Sequence, residues 1–299
     1  MKTIQKIMMV ACVMFCYYVQ AQNNGDFVAN LRIFVDKYDI KSPEKVDGVV
    51  VYQQTYRPDT LHLDSTQVDT MALSYSIHFS DYRAKGKREL DSTVSIMIDR
   101  ISKLDPASPR TERFPSYKGR LSRDRFLGND GKMYEYQDVV QNYYLVKYVS
   151  KKTDWKIEDS TKNVCGYLCQ KAEADVLGRH YIAWFTTDVP GTFGPRTLAG
   201  LPGMILQAYD NTGQITYNAI QVFAKNNPNT TIGLPAKGIV CTKKEYDAMM
   251  EAFEKNPQAF FAGQKNVVAG SAVGGRGGGN PNKPKKVIPQ NSIELKMEE

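Results

Sequence analysis

Few residues in this chain are equipped for covalent or metal chemistry, so the reading starts with them. There are five cysteines and three histidines, His62, His78 and His180. Cys12 and Cys16 fall in an N-terminal apolar run, which leaves Cys165, Cys169 and Cys241. The stretch Cys165-Gly166-Tyr167-Leu168-Cys169 is one residue too wide for a CxxC redox motif. It also lacks the neighbouring histidine or second cysteine pair that a zinc site needs. Cys169 and His180 would make a nucleophile–base dyad on adjacent strands. Asp154, Asp159, Glu173, Asp188 and Asp210 supply carboxylates for such a hydrolase, but no GxSxG elbow accompanies them. A buried structural thiol is the preferred reading of Cys169. The scattered histidines form no spaced metal motif, so metal handling rests only on what folding brings together. The glycine run at 274–279 follows no strand and opens no helix, which excludes a phosphate cradle. No cofactor and no catalytic residue is expected.

The elements that would carry these residues are mostly strands. Residues 49–56 (Val-Val-Tyr-Gln-Gln-Thr with flanking Val and Tyr) are β-branched and aromatic and end before Pro58, a strand signature. Residues 70–79 alternate, which places Met71, Leu73, Tyr75, Ile77 and Phe79 on one face and His78 on the other. Residues 94–104 read as helix, and the basic, proline-punctuated stretch up to Arg125 as a mobile connection. Asp130-Gly131 has the chemistry of a hairpin turn, with strand character on both sides of it and again at 143–149. From Trp155 onward, runs at 166–176, 180–187, 204–210 and 214–222 are separated by Leu177-Gly178-Arg179, a Gly/Pro segment and Asn211-Thr212-Gly213. Strands joined mainly by short turns make an antiparallel meander. Thr242-Lys243-Lys244-Glu245 is a capping box. Tyr246, Met249, Met250 and Phe253 follow as a packing stripe, and Asn256-Pro257 ends the helix. The expected fold class is α+β and β-rich: a curved antiparallel sheet, able to close part-way into a half-barrel, packed on a C-terminal helix.

Composition bounds the rest. Hydrophobic residues make up 42% and charged residues 24% of the chain, ordinary values for a protein with a sizeable core. Mean hydropathy of −0.43 and the lack of a long apolar run exclude a multi-span membrane protein. Lys2 and Lys6, the apolar run 7–19 and the ending Val19-Gln20-Ala21 read as a secretory signal over residues 1–21, cut before Gln22. A lipobox reading of Met9-Val10-Ala11-Cys12 leaves too short an apolar region after Lys6. Removing the signal lowers the formal charge from +7 to +5. Basic and acidic residues are interspersed, as in 81–89, which reads as a solvated face and not as a nucleic-acid stripe. Three cysteines in an oxidising compartment imply one disulfide and one free thiol, or an intermolecular bridge. Residues 22–265 are expected to form one domain, 266–288 a Gly/Pro-rich linker and 289–299 a short tail.

The segment Pro190-Gly-Thr-Phe-Gly-Pro-Arg-Thr-Leu-Ala-Gly-Leu-Pro-Gly-Met-Ile205 is read as a stiff, bent connection between the Trp184 and Met204 strands. It resembles the GLPGLI family of exported Bacteroidetes proteins. The namesake motif stands as Gly200-Leu201-Pro202-Gly203-Met204-Ile205, with Met in place of the second Leu. Other family positions match in order: Trp155, Gly166, Tyr167, Cys169 and Lys171, then Trp184, Pro190, Gly194 and Pro195. The likeness extends to Met71-Ala72-Leu73 and to Asn291-Ser292-Ile293-Glu294-Leu295. It implies an exported cell-envelope protein, periplasmic or outer-membrane associated, and a partner among TonB-dependent outer-membrane systems. It carries no reaction, cofactor or catalytic residue with it. Cys165 and Cys241 lie outside the family pattern, so the resemblance implies a Cys165–Cys241 disulfide beside a free Cys169, with Cys169–Cys241 as the alternative. The functional expectation is a binding or accessory protein without catalysis, holding an apolar ligand or a protein edge beside Tyr167, Tyr181, Trp184 and Tyr209. The alternatives are a Cys169–His180 hydrolase and a metal-handling protein. A filled interior would favour protein contacts, and an open one a carrier.

Overall fold

A computed structural model describes residues 40–57, 66–86, 93, 96–97, 99–101, 103, 125–128, 130–139, 142–149, 152–224, 231–236 and 238–256. The expected signal peptide, the 104–124 connection, the linker and the tail lie outside them. In the stretch read as helix, the described residues between Thr93 and Ile101 are helical.

Alternating β-branched and aromatic residues build two meanders that share one sheet. The first comprises β2 (Gly48–Tyr56), β3 (Gln67–Tyr75), β4 (Phe79–Ala84), β5 (Arg125–Gly128), β6 (Lys132–Val139) and β7 (Asn142–Val149). The second comprises β8 (Lys156–Val164), β9 (Tyr167–Val176), β10 (Arg179–Thr186), β11 (Met204–Asp210) and β12 (Ile215–Ala224). Antiparallel pairing of β2 with β12 fuses them. With β14 (Ile239–Thr242) added in parallel to β7, the described residues form a twelve-stranded open sheet from β14 to β8. A separate antiparallel pair, β1 (Ile40–Lys45) with β13 (Thr231–Pro235), lies against β4.

Turn chemistry fixes the second meander. Cys165-Gly166 and Leu177-Gly178 have positive φ at both residues, the backbone that suits two-residue hairpins because its twist matches the strands. The hairpin expected at Asp130-Gly131 joins β5 to β6, with the Gly131 amide donating to the Gly128 carbonyl at 3.1 Å.

The run read as a single strand at 70–79 is broken. Ser76 accepts from the amides of Phe79 (3.1 Å) and His78 (3.4 Å) and donates to Glu44 at 2.5 Å. The chain therefore turns, and Ile77 is 73% exposed instead of sharing the core face. Serine's capacity to bond its own backbone overrode the alternation.

The main core occupies one face of both meanders, with Tyr52, Leu73, Tyr82, Ala183, Leu206 and Tyr217 among its buried residues. A smaller cluster of Phe126, Tyr136 and Leu145, flanked by Leu234 of β13, covers the opposite face of the first meander. Because both faces of β4 are covered, two of the charges read as part of a solvated face are buried instead, while Lys85 just beyond them is exposed. Asp81 and Arg83 are 1% and 7% exposed and pair at 2.6 and 2.7 Å. Arg125 pairs with Glu135, directly opposite on β6, and both are almost wholly buried.

The helix Lys243–Lys255 keeps the expected capping box between Thr242 and Glu245. It contacts β7 and β14 at the end of the sheet, with Tyr246 against Tyr144, and none of its residues is buried. Tyr246 packs against the main core from this edge, and the filling of the core falls to another segment.

Candidate functional site

That segment is the Gly/Pro stretch 187–203, between β10 and β11. It is more than a bend. Val189, Phe193, Leu198 and Leu201 are at most 2% exposed and belong to the main core. The loop folds on itself through a bridge between Phe193 and Ala199 and through the Gly200 amide donating to Thr192 at 2.8 Å. It is then tied to the sheet. The Ile205 amide donates to the Phe193 carbonyl at 3.0 Å, and the Tyr52 hydroxyl to the Ile205 carbonyl at 2.6 Å. Burial pushes the Tyr52 hydroxyl well above its ordinary pKa, so it stays a donor. Trp155, ahead of β8, donates its Nε1 to the Ala199 carbonyl at 2.8 Å.

Glycine is required where the loop closes. A Cβ on Gly203 would lie 2.2 Å from the Thr186 carbonyl oxygen, and one on Gly194 would lie 2.8 Å from Ile205 Cβ. Pro195 is buried, while Pro190 and Pro202 are exposed. The motif residues Trp155, Gly194, Pro195, Gly200, Leu201, Pro202 and Gly203 thus come together as the loop and its anchor. Gly166 and Tyr167 sit apart, at the β8–β9 turn.

Cys169 is fully buried and faces Lys162 across β8–β9. Burial pushes its thiol from 9.0 to about 11, against the pull of the Lys162 ammonium. His180 opposes Asp175, six residues further along β9, about 20 Å away at the rise of an extended chain. The dyad is not assembled, and a protonated thiol is a poor nucleophile. Cys165, Cys169 and Cys241 are all free thiols, so neither expected disulfide is formed. Cys165 sits beside edge strand β8 and Cys241 in β14 at the other edge of the sheet. No group of three or more metal-ligating side chains occurs among the described residues.

The outer face of the second meander is different in kind. Lys171, Trp184, Gln207, Asn218, Gln53 and Thr70 are successive register partners across six strands. They form a row of about 24 Å at ordinary strand spacing. Lys171 bonds Glu173 at 2.6 Å and Glu158 at 3.1 Å, which raises its pKa. His180 lies 3.0 Å from Asp175 and 3.6 Å from Glu173. Lys162 extends from edge strand β8 over the Trp184 ring, 4.1 Å from its centroid, to the Gln207 side chain three strands away. Burial lowers the Lys162 pKa.

Of the expected aromatic rim, Tyr181 and Trp184 are 4% and 9% exposed, and Tyr167 and Tyr209 are half-buried. Lys162, Gln207 and Asn218 were not singled out by sequence. Period-two alternation marks them as outward-facing, but only the strand order places them side by side.

Comparison with known proteins gives little beyond this geometry. A family described as "Protein of unknown function (Porph_ging)" matches residues 176–207, the end of β9 through the loop into β11. No curated protein matches the chain. Two solved structures titled "Structure of PNGF-II", in P21 and C2 space groups, superpose with TM-scores of 0.46 and 0.45 at 13% and 15% identity. They cover 69% and 68% of this chain but only 33% and 32% of their own. The chain therefore spans about a third of their length, and superpositions this loose carry no inference about shared chemistry.

Proposed function

We propose that the protein is an exported, non-catalytic binding protein of the cell envelope that works through its surface and not as a carrier of apolar ligands. The observation that carries this reading is the filled interior. The core face of the sheet is occupied by the protein's own Phe193, Leu198 and Leu201, each at most 2% exposed. A carrier needs a concave apolar space that a ligand can enter, and here a covalently attached loop fills that role. Support for export comes from the signal-like residues 1–21, and support for an envelope partner from the resemblance to the GLPGLI family. The match at 176–207 is compatible with that resemblance, since it spans the namesake motif. A partner of a TonB-dependent outer-membrane system is the occupant that the resemblance favours. The buried, protonated Cys169 and its distance from His180 weigh against the hydrolase alternative.

The test is uptake of an apolar probe. The purified exported chain is titrated with N-phenylnaphthylamine, and its organic extract is examined for copurified lipid. The expected result is no saturable fluorescence gain and no stoichiometric lipid. Stoichiometric binding of either would overturn the surface-binding reading in favour of a carrier.

A further inference from the structure

The outer face of the second meander holds two lysines in opposite electrostatic situations. Lys171 is committed to Glu173 and Glu158. Lys162 is half-buried, and no carboxylate partners it among the described residues; its contacts are the Trp184 ring and the Gln207 side-chain oxygen. An ammonium drawn across three strands to a neutral amide is a charge whose compensation the described residues do not supply.

Its hydrogen bonds also set a direction. An ammonium only donates, so Gln207 presents its oxygen to Lys162 and its NH2 to Asn218, whose oxygen accepts at 2.5 Å. Asn218 is thereby left with its own NH2 uncommitted among the described residues, and its register partner on β2 is Gln53. Trp184 adds a further donor. The residue is 9% exposed, and its Nε1 is buried without a partner. Among the described residues, the capacity left over in this cluster is therefore donor capacity: the remaining ammonium hydrogens, an amide NH2 and an indole N–H. Both side-chain amide oxygens are in use. A buried donor left unpaired costs free energy that an acceptor would recover, and an anionic acceptor would also answer the ammonium. The row beyond, Gln53 and Thr70 with Thr216 and Thr55 in the adjacent row, offers amides and hydroxyls suited to the hydroxyls of a sugar.

From this cluster we infer that Lys162, Trp184 and Asn218 form a binding site for a carboxylate carried on a sugar, a uronate. The carboxylate takes the Lys162 ammonium and the Asn218 amide, and the sugar hydroxyls lie along Gln53 and the threonines. Glu158 and Glu173 are engaged by Lys171, which keeps their charge from Lys162. The site uses no apolar cavity, so it stands or falls independently of the carrier question.

The chain has only two tryptophans, so indole N–H resonances in a 15N-labelled sample report the site directly, with Trp155→Phe identifying Trp184. D-glucuronate should shift the Trp184 resonance saturably, acetate should bind at least tenfold more weakly, and glucose should leave it unmoved. Lys162→Met should weaken glucuronate binding at least tenfold while the Trp155 resonance and the rest of the spectrum stay in place. No shift with glucuronate, or equal binding by the Lys162→Met variant, would overturn the site. Glucose binding as well as glucuronate would overturn the anion assignment, and acetate binding as tightly would overturn the sugar assignment.

Discussion

The two meanders share one sheet and differ in what covers them. In the first, the core lies on one face and the β1–β13 pair with its small cluster on the other. Charges there are buried as closed pairs, Asp81 with Arg83 and Arg125 with Glu135. In the second, the loop 187–203 covers one face, while the row from Lys171 to Thr70 on the other is only partly covered. The Arg179–Asp210 pair is hidden on its inner side, at 2.7 Å, where Asp210 also accepts from the Ile215 amide and so braces the β11–β12 turn. Its outer side carries half-exposed lysines, carboxylates and amides with bonding capacity to spare. Where both faces are dry, water cannot answer a buried charge, and these charges are paired internally. Where one face is only partly covered, bonding capacity need not be matched internally, and that surplus is available to a ligand.

The sharpest way to break the comparison is to unpair a charge in the dry region. Arg125→Met strands Glu135 in the core and should cost about 3–5 kcal/mol in urea denaturation, whereas Arg125→Met with Glu135→Leu should regain most of it. If the single variant costs under 1 kcal/mol, the claim that closed pairing is obligatory there fails. Next comes the loop. Gly203→Ala drives a Cβ against the Thr186 carbonyl and should cost about 3 kcal/mol, with the loss concentrated in protease resistance near residues 187–203.

A smaller effect separates the thiols. Cys169 has a folded pKa of about 11 against the ordinary 9.0. Because the folded value lies above the unfolded one, its contribution to stability is complete below about pH 9 and is lost as pH rises towards 11. Cys169→Ala should flatten that part of the alkaline stability curve. In the native protein at neutral pH, iodoacetamide should label exposed Cys165 and spare Cys169, as mass spectrometry would read out. The smallest effect belongs to the partly covered face, where Lys171→Met should leave the urea midpoint almost unchanged, because exposed ion pairs are screened by solvent. A larger loss would mean that this face is as structurally committed as the dry one.

Much of the second meander was legible in sequence because its information is local. Alternation, the Leu177-Gly178 turn and the Asn211-Thr212-Gly213 turn each act within a few residues, and the capping box at Thr242 does the same. Errors arose where a distant element decided the outcome. Asp81 and Arg83 look like surface charge until the β1–β13 pair covers β4, and the alternating run 70–79 gives no warning that Ser76 bonds Glu44 of β1. The Tyr246 stripe reads as core, yet another segment had already filled that space.

By itself the sequence determined the β-rich class, strands β9 to β12 of the second meander, the helix cap and the presence of a Gly/Pro loop, because propensity, turn geometry and period-two alternation are properties of neighbours in the chain. The tertiary structure alone decided that the loop fills the sheet, that Cys169 and His180 lie apart, and that Lys162, Trp184 and Asn218 meet. Those outcomes depend on strand order and on which faces become covered, and both are fixed by contacts between segments far apart in sequence.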